Sequence, residues 1–225
     1  MGSAVIAVDG PGASGKTTVG RLLAQKLRYK FLDTGAMYRA ITWAALQAGV
    51  SPKDSRRLVS LAQEQRMEVA FQQDGQGLVL VDGRDVAAHL REESVEQSVS
   101  LVSQVPGVRD ILVELQRRVA EGGRMVMAGR DIGTVVLPHA PLKVFLTASV
   151  AERARRRHAE LQAAGHGVPY QDVLDDLARR DKLDSERKVA PLRPATDAHV
   201  LATDGLSAEM VVERILDLVR LQSWA

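Results

Sequence analysis

The 225-residue chain contains no cysteine. That excludes disulfides and thiolate metal sites and points to a reducing cytoplasm. It contains no asparagine either, which removes the N-K-x-D motif by which regulatory GTPases read guanine. Loss of these thermolabile residues, with Arg far outnumbering Lys, fits thermal adaptation or a GC-rich genome. Aromatic residues make up only 4%, too few to interleave with basic residues as a stacking surface for nucleic acid. No apolar run approaches the roughly 18 residues of a membrane span. The start, MGSAVIAVDG, has no basic n-region and no cleavage-type site, so no signal peptide is expected. What is present, 45% hydrophobic and 26% charged residues, is the composition of a globular protein, one domain with insertions or two small ones.

The formal charge is only +2, but the basic residues are unevenly placed, with many arginines between Arg153 and Arg193. The guanidinium fork matches phosphate oxygens, so the cluster suggests an anionic partner. Composition alone leaves nucleic acid, or merely a solvated basic face, as alternatives.

Hydrophobic periodicity supplies the architecture. SAVIAVDG is a short β-rich run, and SGKTTVGRLLAQKL has helical spacing at Val19, Leu22, Leu23 and Leu27. YKFLD reads as a strand and GAMYRAITWAALQAG as a helix stopped at Gly49. This βαβα alternation predicts a parallel α/β sheet. Near residue 66 the pattern changes. RMEVAFQ and GLVLVDG alternate as an antiparallel hairpin around QDGQ. EESVEQSVSLVSQV and GVRDILVELQRRVAEGG follow as helices, then RMVMAG and LKVFLTAS as buried strands. VAERARRRHAELQAAG and YQDVLDDLARRDKLDSERK read as two charged helices, HVLATDG as a last strand, and SAEMVVERILDLVRLQSW as a last helix opened by Ser207.

The chemistry is carried by GPGASGKT, Gly10 to Thr17, which fits G-x-x-x-x-G-K-[ST] without a mismatch. Glycines let such a loop wrap its N–H groups around phosphate, the lysine reaches the β- and γ-oxygens, and the hydroxyl ligates Mg²⁺. The loop also opens a helix, whose N-terminus favours an anion. Gly10, Pro11, Gly12, Ala13, Ser14, Gly15, Lys16, Thr17 and Thr18 are therefore the expected ATP-binding residues. A motor or transporter ATPase usually has a longer chain and a strand ending in an acid, where this chain has Ala128.

Together, GPGASGKTTVGRLLAQKL, FLDTGAMYRA, GRDIGTVVLPHAPLKVFLTAS, ERARRR and RKVAPLRPATDA resemble the bacterial cytidylate kinases, in order and through nearly the whole chain. The resemblance implies a P-loop α/β fold with a five-stranded parallel sheet, core residues 1–62, 106–150 and 188–225, a nucleoside-monophosphate-binding insert at about 63–105 and a helical lid at about 151–187. It implies transfer of the γ-phosphoryl of ATP to CMP or dCMP, less well to UMP, with Mg²⁺, by a cytoplasmic monomer without nucleic-acid or membrane partners. Kinases of UMP, AMP or a shikimate-like acid, and a nucleotide-dependent nucleic-acid-binding protein, are the alternatives.

Carried onto matching positions, the resemblance places Thr34, Tyr38 and Arg39 in the CMP site, with Arg39 on its phosphate. Ser100, Arg109 and Asp131 would read cytosine, Arg130 and Arg187 hold the CMP phosphate, and Arg180 and Asp184 hold the ribose. Lys16, Arg130, Arg153, Arg157 and Arg187 would act on the transferring phosphoryl, and Thr17 and, through water, Asp33 would hold Mg²⁺. Consecutive helical residues point about 100° apart, so two of Arg153, Arg155, Arg156 and Arg157 are expected to act and two to be solvated. If the helix continues, Arg180, Asp184 and Arg187 share a face. Many members of the family have Asp where this chain has Ala128, so the metal shell here rests on Asp131 or Asp33. GRD occurs twice; the first, Gly83 to Asp85, is expected to be a turn with a surface Arg–Asp pair, and the second, Gly129 to Asp131, to end a buried strand at the site.

Overall fold

The structure is a computed structural model, described for residues 4–222. The expected strand start at Ser3 and helix end at Trp224 lie outside the described residues. In chain order the elements are β1 (Val5–Asp9), α1 (Lys16–Leu27), β2 (Lys30–Asp33), α2 (Thr34–Gln47), α3 (Ser55–Glu64), β3 (Met67–Phe71), β4 (Gly77–Val81) and β5 (Arg84–Asp85). Then come α4 (Glu93–Val102), α5 (Pro106–Ala120), β6 (Met125–Gly129), β7 (Leu142–Thr147), α6 (Val150–Ala163), α7 (Tyr170–Glu186), β8 (His199–Ala202) and α8 (Ala208–Arg220). Short helical turns occupy Ala87–His89 and Ile132–Val136, the latter π-helical.

Five strands form one parallel sheet in the order β2-β6-β1-β7-β8. β1 and β6 are buried along their full length, as apolar strands covered by helices on both faces must be. The register sets Asp9 of β1 beside Gly129 of β6, and Asp33 of β2 beside Ala128. The P-loop, the second GRD and Asp33 thus emerge together at the C-terminal edge, where open α/β sheets bind ligands.

The second sheet, β3-β4-β5, is antiparallel. Its tip docks on the edge strand of the first: Phe31 N–H donates to Gly75 O at 2.9 Å, so β2 is not left as an open edge. The insert has no core of its own. Val79, Val81 and Val99 pack in one cluster with Ala7 and Leu32 of the main sheet and Leu112 of α5. The paired helices α6 and α7, by contrast, close on a small separate cluster of Ala154, Val173 and Leu177.

One helix was not expected, and two expectations differ from what is observed. The sequence reading assigned nothing to α3, although Asp54 caps it by accepting Arg57 N–H and Leu58, Leu61 and Ala62 bury one face. α7 ends at Glu186, so Arg187 stands in extended backbone rather than on the helix face of Arg180; its Nε–H is drawn to Ala190 O. The first GRD is a hairpin turn with positive φ at Asp82 and Gly83. Asp85 there accepts Ala87 N–H at 2.8 Å instead of pairing with Arg84, because neighbouring strand residues point to opposite faces.

Because the insert and the main sheet share a core, Val81→Ala should destabilise the fold as a whole, by about 2 kcal/mol for two lost methyls and the void they leave. Urea unfolding followed by far-UV circular dichroism and by tryptophan fluorescence should shift together; a shift in one probe alone would mean that the insert unfolds independently.

Candidate active site

The P-loop is built by local backbone conformation. Gly10, Ala13 and Gly15 all have positive φ, at 149°, 57° and 91°. A Cβ on Gly10 would lie 2.2 Å from Leu146 O, so only glycine fits there. No side chain caps the start of α1, which leaves its first N–H groups for an anion. Lys16 Nζ lies back along the loop, donating to Pro11 O at 2.6 Å. Burial, then the neighbouring Arg130, lowers the Lys16 pKa; Asp33 and Asp9 oppose this. An anionic ligand would favour its charged form. Thr17 Oγ1 donates to Asp33 Oδ2 at 2.8 Å, and Asp33 Oδ1 accepts Gly35 N–H as the N-cap of α2.

A cavity of about 510 Å³ runs from this loop between α4, α5, α7 and the end of β6. It brings together most of the residues named from the sequence. Gly12 through Thr18, Asp33, Thr34, Tyr38, Arg39, Ser100, Arg109, Arg130, Asp131, Arg157, Arg180, Asp184 and Arg187 all line it. Gly10, Pro11 and Arg153 do not. Arg153 is buried and holds the lid to the loop instead, donating to Gly12 O at 3.1 Å and Asp181 Oδ1 at 3.0 Å. Of its neighbours, Arg155 is exposed on Glu152 while Arg156 and Arg157 face the cavity.

At the far end, buried Asp131 receives a charge-assisted hydrogen bond from Arg109 Nη2, and Arg187 Nη2 lies 3.8 Å from its other oxygen. Burial raises the Asp131 pKa against the pull of Arg109 and Arg187. The Arg109 guanidinium sits 5.5 Å from the Tyr38 ring centroid. Midway, Arg130 Nε–H donates to Asp184 Oδ2 at 2.7 Å. Burial works against the Arg130 charge, but Asp184 outweighs it and raises the pKa; for the same reason that of Asp184 falls. Thr34 Oγ1–H donates to Ala128 O at 2.9 Å, and the Ala128 methyl packs in the apolar cluster beneath α1, so that position offers no ligand.

Two functional features had no individual signal in the sequence. One is the wall formed by Arg156, Thr203, Leu206, Ser207, Ala208 and Val211 at the P-loop end; the sequence marked Ser207 only as a helix start and Arg156 only as one of four lid arginines. The other is Asp9, read as mere strand. Its carboxylate accepts Ile132 N–H and Gly133 N–H, each at 2.7 Å, and so fixes the π-helical turn that presents Asp131. Gly133 allows this approach, since a Cβ there would lie 3.1 Å from Lys143 Cδ and 3.3 Å from Asp9 Oδ2. Burial pushes the Asp9 pKa up to about 6, against those two hydrogen bonds.

Comparison with known proteins adds the following. Residues 6–221 match the family model "Cytidylate kinase". A cytidylate kinase of Geobacillus kaustophilus is 51% identical over 214 residues, 95% of each chain. That of Mycolicibacterium paratuberculosis is 49% identical over 220 residues, covering 97% of this chain and 96% of its own, and that of Bacillus subtilis is 46% identical over 218 residues, 97% of each. Among solved structures, shikimate kinase from Bacteroides thetaiotaomicron superposes with a TM-score of 0.51 at 15% identity, covering 98% of this chain and 100% of its own, a likeness of fold.

The raised Asp9 pKa has a checkable sign. Between about pH 4 and 6 the folded chain keeps a proton on Asp9 that the unfolded chain has lost. Its contribution to stability therefore falls as pH rises through that window. The unfolding free energy of the wild type relative to Asp9→Asn should decline from pH 4 to 6 in urea titrations; a flat difference would place the Asp9 pKa in the ordinary carboxylate range.

Proposed function

Since the chain belongs to the cytidylate kinase family, we propose that its cleft sets the family's two substrates end to end, ATP on the P-loop and CMP or dCMP under the Asp131 corner. The enzyme transfers the γ-phosphoryl group of ATP to CMP or dCMP, giving ADP and CDP or dCDP. The observation that carries the arrangement is one continuous cavity with Lys16 at one end, the Arg109–Asp131 pair at the other and Arg130 between.

The chemistry asks little of a general base. The nucleophile is an oxygen of the acceptor phosphate, whose second pKa near 6 leaves it ionised at neutral pH. The barrier is lowered by positioning and by charge placed where it develops. Arg39, Arg130 and Arg187 hold the acceptor phosphate, Arg187 with a buried Nη2 that has no hydrogen-bond partner among the described residues. Lys16 and Arg157 approach the transferring group from the loop and the lid. Arg153 acts one step back, pinning the lid helices to Gly12 and Asp181. The donor's base rests against Leu206 to Val211 and Arg156. The Thr17 hydroxyl and the Asp33 carboxylate are hard oxygen donors beside the phosphate loop and fit Mg²⁺. When bound, that ion neutralises charge on the β- and γ-phosphates.

Acceptor choice rests on the buried corner. Ser100, Arg109 and Asp131 set a donor–acceptor pattern for the cytosine edge. A base with a carbonyl in place of the 4-amino group leaves a buried polar atom unpaired, so UMP reacts less well. Arg180 and Asp184 face the ribose, Asp184 keeping one oxygen on Arg130.

An acceptor panel with ATP and Mg²⁺ should rank CMP and dCMP first by kcat/KM, above UMP, AMP and shikimate; another acceptor ranking first would overturn the assignment. Asp131→Ala should cut kcat/KM for CMP about 100-fold and narrow the CMP:UMP ratio; an unchanged ratio would remove Asp131 from base reading. Arg130→Ala should lower kcat about 100-fold or more, with Arg84→Ala, in the first GRD, within twofold of wild type; equal effects would contradict the different roles of the two tripeptides.

A further inference from the structure

Glu96 of α4 is absent from every role above, yet it stands where three segments meet. Arg39 Nε, on α2, donates to its Oε1 at 2.8 Å. Arg91 Nη1, from the loop before α4, reaches the same oxygen at 3.0 Å. Arg180 Nη1, on lid helix α7, donates to Oε2 at 3.1 Å. The side chain is 15% exposed and lines the cavity. Burial disfavours its charge, but Arg39 and Arg180 outweigh that and hold the carboxyl well below the usual carboxylate range.

The way the contacts are spent matters. Arg39 gives Glu96 only Nε–H, and its Nη1 lies against Gly35, where a Cβ would come within 2.8 Å. Arg180 gives Glu96 only Nη1. Each guanidinium is thus anchored at one edge, with its remaining donors left for a ligand. Without a carboxylate between them, Arg39, Arg91 and Arg180 would repel one another in a partly dehydrated cleft. The same device recurs deeper in the site, where Asp184 backs Arg130 and Asp131 backs Arg109. Among the carboxylates of the described residues that pair with these arginines, Glu96 is the one that ties an acceptor-side helix to the lid.

We propose that Glu96 is a positioning residue for the acceptor nucleotide: it fixes the guanidiniums of Arg39 and Arg180 toward the acceptor and couples the insert to the lid. This deepens the CMP kinase reading and rests on it. Glu96 touches neither phosphoryl group; it acts through the two arginines.

The test is steady-state kinetics of Glu96→Gln, which keeps the shape and removes the charge, with CMP and with ATP varied in turn. KM for CMP should rise about tenfold or more, KM for ATP should stay within twofold, and the melting temperature should stay near that of the wild type. In an Arg39→Ala background the same substitution should cost much less, because one of its two targets is gone. An unchanged KM for CMP, equal rises in both KM values, or the same cost in the Arg39→Ala background would overturn the proposal. A fall in KM for CMP would overturn it too, by showing that Glu96 competes with the acceptor phosphate. If the wild type itself fails to phosphorylate CMP, the functional reading falls first, and the inference with it.

Discussion

The constraint on which the rest of the structure depends is the mutual repulsion of cations gathered in one cleft. Lys16, Arg39, Arg109, Arg130, Arg180 and Arg187 line one cavity. Unbalanced, such a set would be driven apart: burial first, and then the neighbouring arginines, lower the pKa values of Lys16, Arg180 and Arg187. The chain answers with carboxylates placed one to a group: Asp184 on Arg130, Asp131 on Arg109, Glu96 on Arg39 and Arg180, and Asp181 on Arg153 behind the loop. These are not surface ion pairs of small effect. Most are buried or partly so, and removing one partner leaves the other charged and dehydrated. Carboxylates so placed orient the arginines, and preorganised charge is what phosphoryl transfer most needs from a protein.

The fold makes this balance possible by bringing distant residues to one edge. Parallel pairing of β6 between β1 and β2 sets the second GRD beside both the P-loop and Asp33. Asp9, at the end of β1, then grips the turn after Asp131 through two backbone N–H groups. The insert is packed into the main core and docked on β2, so Ser100 and Glu96 ride on a surface continuous with the sheet. The lid has only a small apolar cluster of its own, and its attachments to the rest are largely polar: Arg153 to Gly12, Arg180 to Glu96, and Arg156 to Thr203. An element held by a few ion pairs and hydrogen bonds is the one expected to move between substrate entry and product release.

What could be read from the sequence was what is local in the chain. The P-loop is one contiguous segment, and its glycines, lysine and threonine announce both backbone and ligand. The parallel strands and the hairpin around Gln72–Gly75 follow from period and turn chemistry. The acceptor corner did not follow from pattern: Arg109 and Asp131 lie on different elements, and family resemblance alone named them. Other features escaped because their signal is weak or tertiary. Helix α3 is polar on most of its surface and buries Leu58, Leu61 and Ala62 in the core, with Val59 partly buried against it. Arg153 is buried between the P-loop and α7 while Arg156 and Arg157 face the cavity, because the orientation of α6 in the packed lid decides which arginine faces which way. Glu96 reads as one more acid in an acidic helix start until Arg39, Arg91 and Arg180 are seen around it.

The most direct test of the central claim is a crystal structure of the enzyme with CMP and a non-hydrolysable ATP analogue bound together. The account predicts the CMP phosphate among Arg39, Arg130 and Arg187, the cytosine edge against Ser100, Arg109 and Asp131, and the Asp184–Arg130 and Glu96–Arg180 pairs intact beside the ligand. A phosphate that binds elsewhere, or that engages these arginines only after they have released their carboxylates, would contradict the idea that the cleft is arranged by its acidic partners before substrate arrives.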